Sequence, residues 1–317
     1  MTQLSSAYRI LLQNLRFSTL FTRNVFQLAN AAALIDQFAL LTAYQNTVEN
    51  DFSATIFSVN LSEAATTINN WANEHTHGKI PKLLDEKTDL SNTVMILLNA
   101  LYFKGVWANP FKKQLTADKE FTYSANSKVK VPMMSKSGWF KYTSSTEGQL
   151  LELPYEGNSQ SMLLFLPKEE KEEMQHSISS IFSKTIKSRN SNQNGYESLR
   201  SQQLILVLPR FKIESSVEPV QELQSMGIRA AFDCEKANFS LMMDSERIIK
   251  VSEILKKTFI EVNEEGSKAA AATAVGFVAV SGQIRKPLTV EFNRPFLFAI
   301  RDNRLQLTLF AGIVNKP

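Results

Sequence analysis

The chain has 317 residues, 44% hydrophobic and 21% charged, an ordinary globular balance that can bury a large core. Net charge is +4, from 35 basic and 31 acidic residues spread along the chain, which is too weak and dispersed to argue for nucleic acid. A single cysteine, Cys234, excludes an intrachain disulfide, and no apolar run is long enough to span a membrane.

The stretch Met1 to Tyr8 lacks the charged and apolar regions of a signal peptide. Leu11, Leu12 and Leu15 give residues 7–16 a short helical stripe. Val25 to Ile35 reads as a strand, and Phe38 to Tyr44 as a short helix. Ser62 is the expected cap of a helix that carries Ile68, Trp71 and His75 on one face and ends at Gly78. Val94 to Phe103 is almost wholly apolar, as expected of a strand covered on both faces.

Between 121 and 167, short β-type runs alternate with turn signals at Asn126, Gly138 and Glu156-Gly157-Asn158, predicting antiparallel sheet. Lys168 to Glu173 reads as a charged helix start, and the polar stretch 188–203 as an exposed loop. Leu204 to Leu208 is a buried strand ended by Pro209. Ser215-Ser216-Val217-Glu218 is a capping-box pattern for a helix that Gly227 ends. Val251 to Asn263 is a long strand that leads into Glu264-Glu265-Gly266-Ser267 and the run Ala269 to Ala272. The class is α+β, without the alternating rhythm of a parallel α/β fold. The alanine-rich segment suits helix, loop or strand.

No catalytic constellation emerges: there is no Gly-x-Ser-x-Gly, phosphate loop, His-Glu-x-x-His or Cys-x-x-Cys. His75 and His77 alone fall short of a metal's ligand count, so no metal and no cofactor are expected, and the chain is not read as an enzyme. Lys112, Lys113, Lys128 and Lys130 read as a solvated basic face. Asn60-Leu61-Ser62 and Asn238-Phe239-Ser240 are candidate glycosylation sites.

Several motifs recur in one order. They are Asn99-Ala100-Leu101-Tyr102-Phe103-Lys104-Gly105-Val106-Trp107, Val131-Pro132-Met133-Met134, Leu153-Pro154-Tyr155-Glu156-Gly157, Phe292-Asn293-Arg294-Pro295-Phe296 and Leu309-Phe310-Ala311-Gly312. With the Gly266 hinge, they resemble the serpin family of serine protease inhibitors. The resemblance implies one domain over 1–317, with a large mixed β-sheet, smaller antiparallel sheets, surrounding helices, and a hinge and reactive-centre loop at 264–288. It also implies that the chain lacks the helices preceding the family's fourth, which would expose apolar surface on Val94–Phe103 and Val251–Val262.

In that family the loop is a suicide substrate. The protease serine forms an acyl-enzyme, and the cut loop inserts in a parallel position in the large sheet. The distorted protease then cannot complete hydrolysis. The hinge residues would be Glu264, Glu265, Gly266, Ser267, Ala269, Ala270, Ala271, Ala272 and Thr273. The family's spacing points to Val280-Ser281 as the scissile bond, implying an elastase-like target, with Arg285-Lys286 and a trypsin-like target as the alternative. Trp107, Asn99, Arg210 and Lys256 fall where the sheet opens, with Arg210 and Glu264 as an expected ion pair. Lys256 replaces the family's usual histidine and must either suffer desolvation or reach water. Family habit implies a monomer in the extracellular space. The alternative reading is a non-inhibitory serpin-fold protein, a carrier, chaperone or inactive truncated product.

Overall fold

A computed structural model describes residues 2–35, 40–124, 126–168, 198–243, 249–265 and 287–317. These residues group into two compact units. One comprises Met1–Leu20, Val25–Lys104 and Ile213–Ile260; the other comprises Phe21–Asn24, Gly105–Lys212 and Glu261–Pro317.

The first unit is built around the larger part of a five-stranded sheet. Strands β1 (Val25–Ile35), β2 (Ala54–Val59), β3 (Met95–Lys104), β9 (Phe211–Val217) and β10 (Val251–Val262) lie in the order β2-β1-β3-β10-β9. The sheet is mixed: β1 runs parallel to β2 and antiparallel to β3, and β3 and β10 are parallel neighbours with Asn99 beside Lys256. Helices α1 (Thr2–Thr19), α2 (Thr42–Phe52) and α3 (Ala64–His75) accompany it. Alternation sends Ile96, Leu98, Ala100 and Tyr102 to one face, where they pack with Ile68, Trp71 and Ala72 of α3 in one core.

That packing answers one expectation. The apolar surface expected on β3 and β10 is mostly covered: Met95, Leu101 and Phe103 are buried, as are Leu255, Phe259 and Ile260. On the second face Leu97 and Asn99 of β3 and Ser252, Ile254 and Thr258 of β10 remain half-exposed, and Lys256 is exposed.

The second unit holds an eight-stranded sheet. Its strands are β4 (Ala117–Ser124), β5 (Ser127–Ser144), β6 (Gly148–Pro154), β7 (Gln160–Pro167), β8 (Arg200–Pro209), β11 (Leu288–Glu291), β12 (Phe296–Asp302) and β13 (Leu307–Val314). The order is β11-β8-β5-β6-β7-β12-β13, with β4 paired to β5. Every residue of β7 and β12 is buried. Gly148 permits the tightest approach in it: a Cβ there would lie 2.4 Å from the Leu166 carbonyl oxygen and 2.8 Å from the Phe165 ring.

Local sequence signals were overridden at five places. Residues 61–63 form a 3₁₀ turn and α3 starts after Glu63, so Ser62 is not its cap. Gly138 lies inside β5, an 18-residue strand, rather than in a turn. Ser215 to Val217 continue β9, and α4 (Val220–Ser225) begins after Pro219 without the expected capping box. The helix expected from Phe38 instead begins at Thr42, with Phe38 itself outside the described residues. Residues 200–203, expected in a loop, belong to β8; the rest of that loop to residue 197, and Glu169 to Glu173, lie outside the described residues.

Candidate functional site

The candidate site is the short run Asn263-Glu264-Glu265, which follows β10 in the chain. It is held by backbone first. Trp107 donates its indole Nε1–H to the Asn263 carbonyl at 2.8 Å, and its own amide lies 3.4 Å from the Glu265 carbonyl. The Phe111 amide donates to the Glu264 carbonyl at 2.8 Å. Asn263 Oδ1 accepts the Glu265 amide at 3.1 Å, an Asx-type turn that shapes the exit of the chain.

The clasp formed by residues 106–111 is itself anchored. Trp107 stacks on Tyr155 with ring centroids 4.5 Å apart and 8° between planes, and both side chains are almost fully buried. The Ala108 amide donates to the Pro154 carbonyl at 3.0 Å, and the Glu156 amide to the Val106 carbonyl at 2.7 Å. Asn24 Oδ1 accepts the Val106 amide at 2.8 Å while its Nδ2 donates to the Glu156 carbonyl. An amide side chain thus spans two strands of the clasp where no regular ladder exists.

Electrostatics complete the root. The Glu264 side chain is 2% exposed, so its charge must be compensated within the protein. Arg210 Nε lies 2.8 Å from both carboxylate oxygens, its second terminal nitrogen contacts Oε1, and Thr116 Oγ1 donates to the same oxygen. Burial pushes this carboxyl upward, but the Arg210 and Thr116 hydrogen bonds together outweigh burial and hold it below the ordinary carboxylate range. Glu265 pairs with Lys113 at 2.6 Å on the more exposed side.

Arg210 and Glu264 therefore pair with Trp107 beside them, as the resemblance implied, and Glu265 joins them through Lys113. Thr116, Phe111, Lys113, Asn263 and Tyr155 were not foreseen; of these only Asn263, two residues before Glu265, carries a local turn signal in the sequence. Asn99 and Lys256 belong to the first unit. Asn99 Nδ2 donates to Asn30 Oδ1 at 2.8 Å, and Lys256, its register neighbour, is exposed. Of the two expected alternatives, Lys256 thus takes the second and reaches water. Asn60 and Asn238 are both exposed. Gly266, Ser267, Ala269, Ala270, Ala271, Ala272, Thr273, Val280, Ser281, Arg285 and Lys286 lie outside the described residues.

Comparison with known proteins meets this geometry. A family model described as serpin (serine protease inhibitor) matches residues 1–317. Antichymotrypsin-2 of Bombyx mori is 34% identical over 282 residues, covering 88% of this chain and 72% of the relative. The crystal structure of native protease nexin-1 with heparin superposes with a TM-score of 0.79 at 30% identity, covering 93% of this chain and 78% of that one. Human thyroxine-binding globulin complexed with its ligand gives a TM-score of 0.85 at 26% identity, covering 100% and 81% respectively. From its motifs, its sheets and these relatives, the chain belongs to the serpin family, a family of protease inhibitors and their non-inhibitory relatives rather than of enzymes.

Proposed function

We propose that residues 1–317 act as one inhibitory unit, a single-use trap for a serine protease, with residues 264–288 as bait and Val280-Ser281 as the scissile bond. The observation that carries this reading is the direct parallel pairing of β3 with β10 from Val251 to Ile260. A segment that folds back after the end of β10 can enter between these two strands only if they part. It then runs antiparallel to both, not parallel as first expected. Small side chains at Ser267, Ala269, Ala271 and Thr273 suit the buried face of such a strand.

The clasp on Asn263, Glu264 and Glu265 supports the same reading, because it fixes the root from which the segment must turn. The chemistry is a protease acyl-enzyme that is never hydrolysed, since insertion pulls the oxyanion hole out of register. The Val280 position favours an elastase-like target; Arg285-Lys286 would serve a trypsin-like one. The expected setting is extracellular and the active form a monomer.

The test is incubation with elastase-like and trypsin-like proteases followed by denaturing electrophoresis. A covalent complex with one of them supports inhibition, and cleavage without complex overturns it. Ser267→Arg should turn inhibitor into substrate, because a bulky charge at an inward position resists burial. The likeness to thyroxine-binding globulin favours a second reading, a non-inhibitory carrier. Melting after loop cleavage separates the two: a large gain in Tm marks insertion, and no gain marks the carrier.

A further inference from the structure

Within the second unit, β5 turns Met134, Lys136, Gly138 and Phe140 to one face, where Met134 and Phe140 are buried and Lys136 is half-buried. Gly138 carries no side chain, and the Phe140 ring lies close over it: a Cβ there would be 3.6 Å from that ring. Phe111 supplies a second ring. The Lys136 ammonium sits 5.6 Å from the Phe111 centroid and 5.7 Å from that of Phe140. Its hydrogen-bond acceptor is the Asn109 carbonyl, a neutral oxygen. Opposite it in register, β8 presents the buried Leu206. The segment 109–116 carries Lys112 and Lys113, and Lys113 is tied to Glu265. No carboxylate pairs with Lys136 among the described residues.

An ammonium in this slot loses hydration and gains only two ring faces and one carbonyl in return, which favours the neutral amine. Burial accordingly pushes the group down from 10.5 to about 8, and no charged neighbour contributes. At pH 7.4 about a fifth of such amines carry a free lone pair, against about 0.1% of ordinary lysines. We propose that Lys136 is a preferred site of carbamylation by isocyanic acid, an electrophile small enough to reach a half-buried amine. The amine lone pair attacks the isocyanate carbon, and one amine proton ends on the isocyanate nitrogen. A carbon–nitrogen bond forms, no group leaves and no co-reactant is consumed. The product is a neutral urea. It keeps an N–H for the Asn109 carbonyl and, having no charge, needs no carboxylate.

The test is brief exposure of the full chain to potassium cyanate, with the initial rate at each lysine read by peptide mass spectrometry. At pH 7.4 Lys136 should react about ten-fold faster than Lys112 and Lys130, which are exposed. That is less than the ratio of free amines, because a weaker base is also a weaker nucleophile. The Lys136 rate should level off above about pH 8, while the rates at Lys112 and Lys130 keep climbing to about pH 10. In guanidinium chloride the advantage should vanish, since the slot exists only in the folded chain. A Lys136 rate no higher than that of Lys112 and Lys130 overturns the proposal. So does a rate that shows no plateau, or an advantage that survives unfolding.

Discussion

Arg210 grips Glu264 with Nε placed equally, 2.8 Å from each carboxylate oxygen, so one guanidinium neutralises a carboxylate that solvent scarcely reaches. The partners are unequal: Arg210 is 43% exposed and Glu264 is 2% exposed. Arg210→Ala should therefore cost more than Glu264→Gln, since it strands a buried charge. The loss should be about 2–4 kcal/mol, below the fully buried limit because Arg210 itself is partly solvated. Denaturant midpoints of both single variants and the double variant measure it.

The same pair gives an acid dependence. Glu264 has its carboxyl held below the ordinary value of 4.5, so the folded state keeps the anion better than the unfolded chain does. Its stabilisation is complete above pH 4.5 and is lost as pH falls through the depressed value. Glu264→Gln should melt below the parent at pH 7, with the gap closing in acid. A gap independent of pH would refute this assignment.

Trp107 joins the clasp to the root through its indole, which donates to the Asn263 carbonyl, and its amide, 3.4 Å from the Glu265 carbonyl, while its ring stacks on Tyr155. Trp107→Phe keeps a ring for Tyr155 but leaves the Asn263 carbonyl without its indole donor. A destabilisation of about 1–3 kcal/mol is expected. Under the inhibitory reading, the variant should also lose complex-forming activity faster on storage at 37 °C. The measurement is residual complex formation against time.

Lys136, on β5, donates to the Asn109 carbonyl and lies over the rings of Phe111 and Phe140 at 5.6 and 5.7 Å. Burial pushes its ammonium down from 10.5 to about 8. Between those values the unfolded chain binds more protons than the folded one, so this group makes stability rise with pH. Lys136→Met should melt above the parent at pH 7, and the advantage should shrink towards pH 10. The readout is the Tm difference between the two proteins across that range.

Two glycines in the second unit should behave oppositely. Gly148→Ala meets a carbonyl oxygen and a ring below 3 Å and should cost about 1–3 kcal/mol. Gly138→Ala finds its nearest neighbour, the Phe140 ring, at 3.6 Å, an ordinary contact. In mid-strand it should be neutral or stabilising by up to about 1 kcal/mol. Paired thermal melts distinguish them.

Long apolar strands were legible in the sequence. Val25–Ile35 matches β1 residue for residue, and Val251–Val262 lies within the run read from Val251 to Asn263. Their side chains are fixed by burial, which leaves a periodic mark. The errors fell where a polar or glycine residue could serve two purposes. Ser62 and Ser215 are good caps, but one sits in a 3₁₀ turn and the other faces solvent on a strand. Gly138 marks a turn only if the chain needs one, and pairing with β8 from Met133 to Tyr142 carries the strand straight through it.

At the site, Arg210 and Glu264 were found through family motifs, not through spacing. They are 54 residues apart, and no local rule joins them. Thr116 and Phe111 left no signal because their contribution is one hydroxyl and one backbone amide.

The seam between β3 and β10 also has a history during synthesis. Met95 pairs with Val251, which leaves the ribosome about 150 residues later. Until then β3 has β1 on one side and a bare row of backbone donors and acceptors on the other. Nascent chains meeting at that row can close it with a neighbour's strand instead of their own. The seam at which the proposed bait segment would have to enter thus also makes the growing chain prone to intermolecular strand exchange, most of all when synthesis is fast or the chain is crowded.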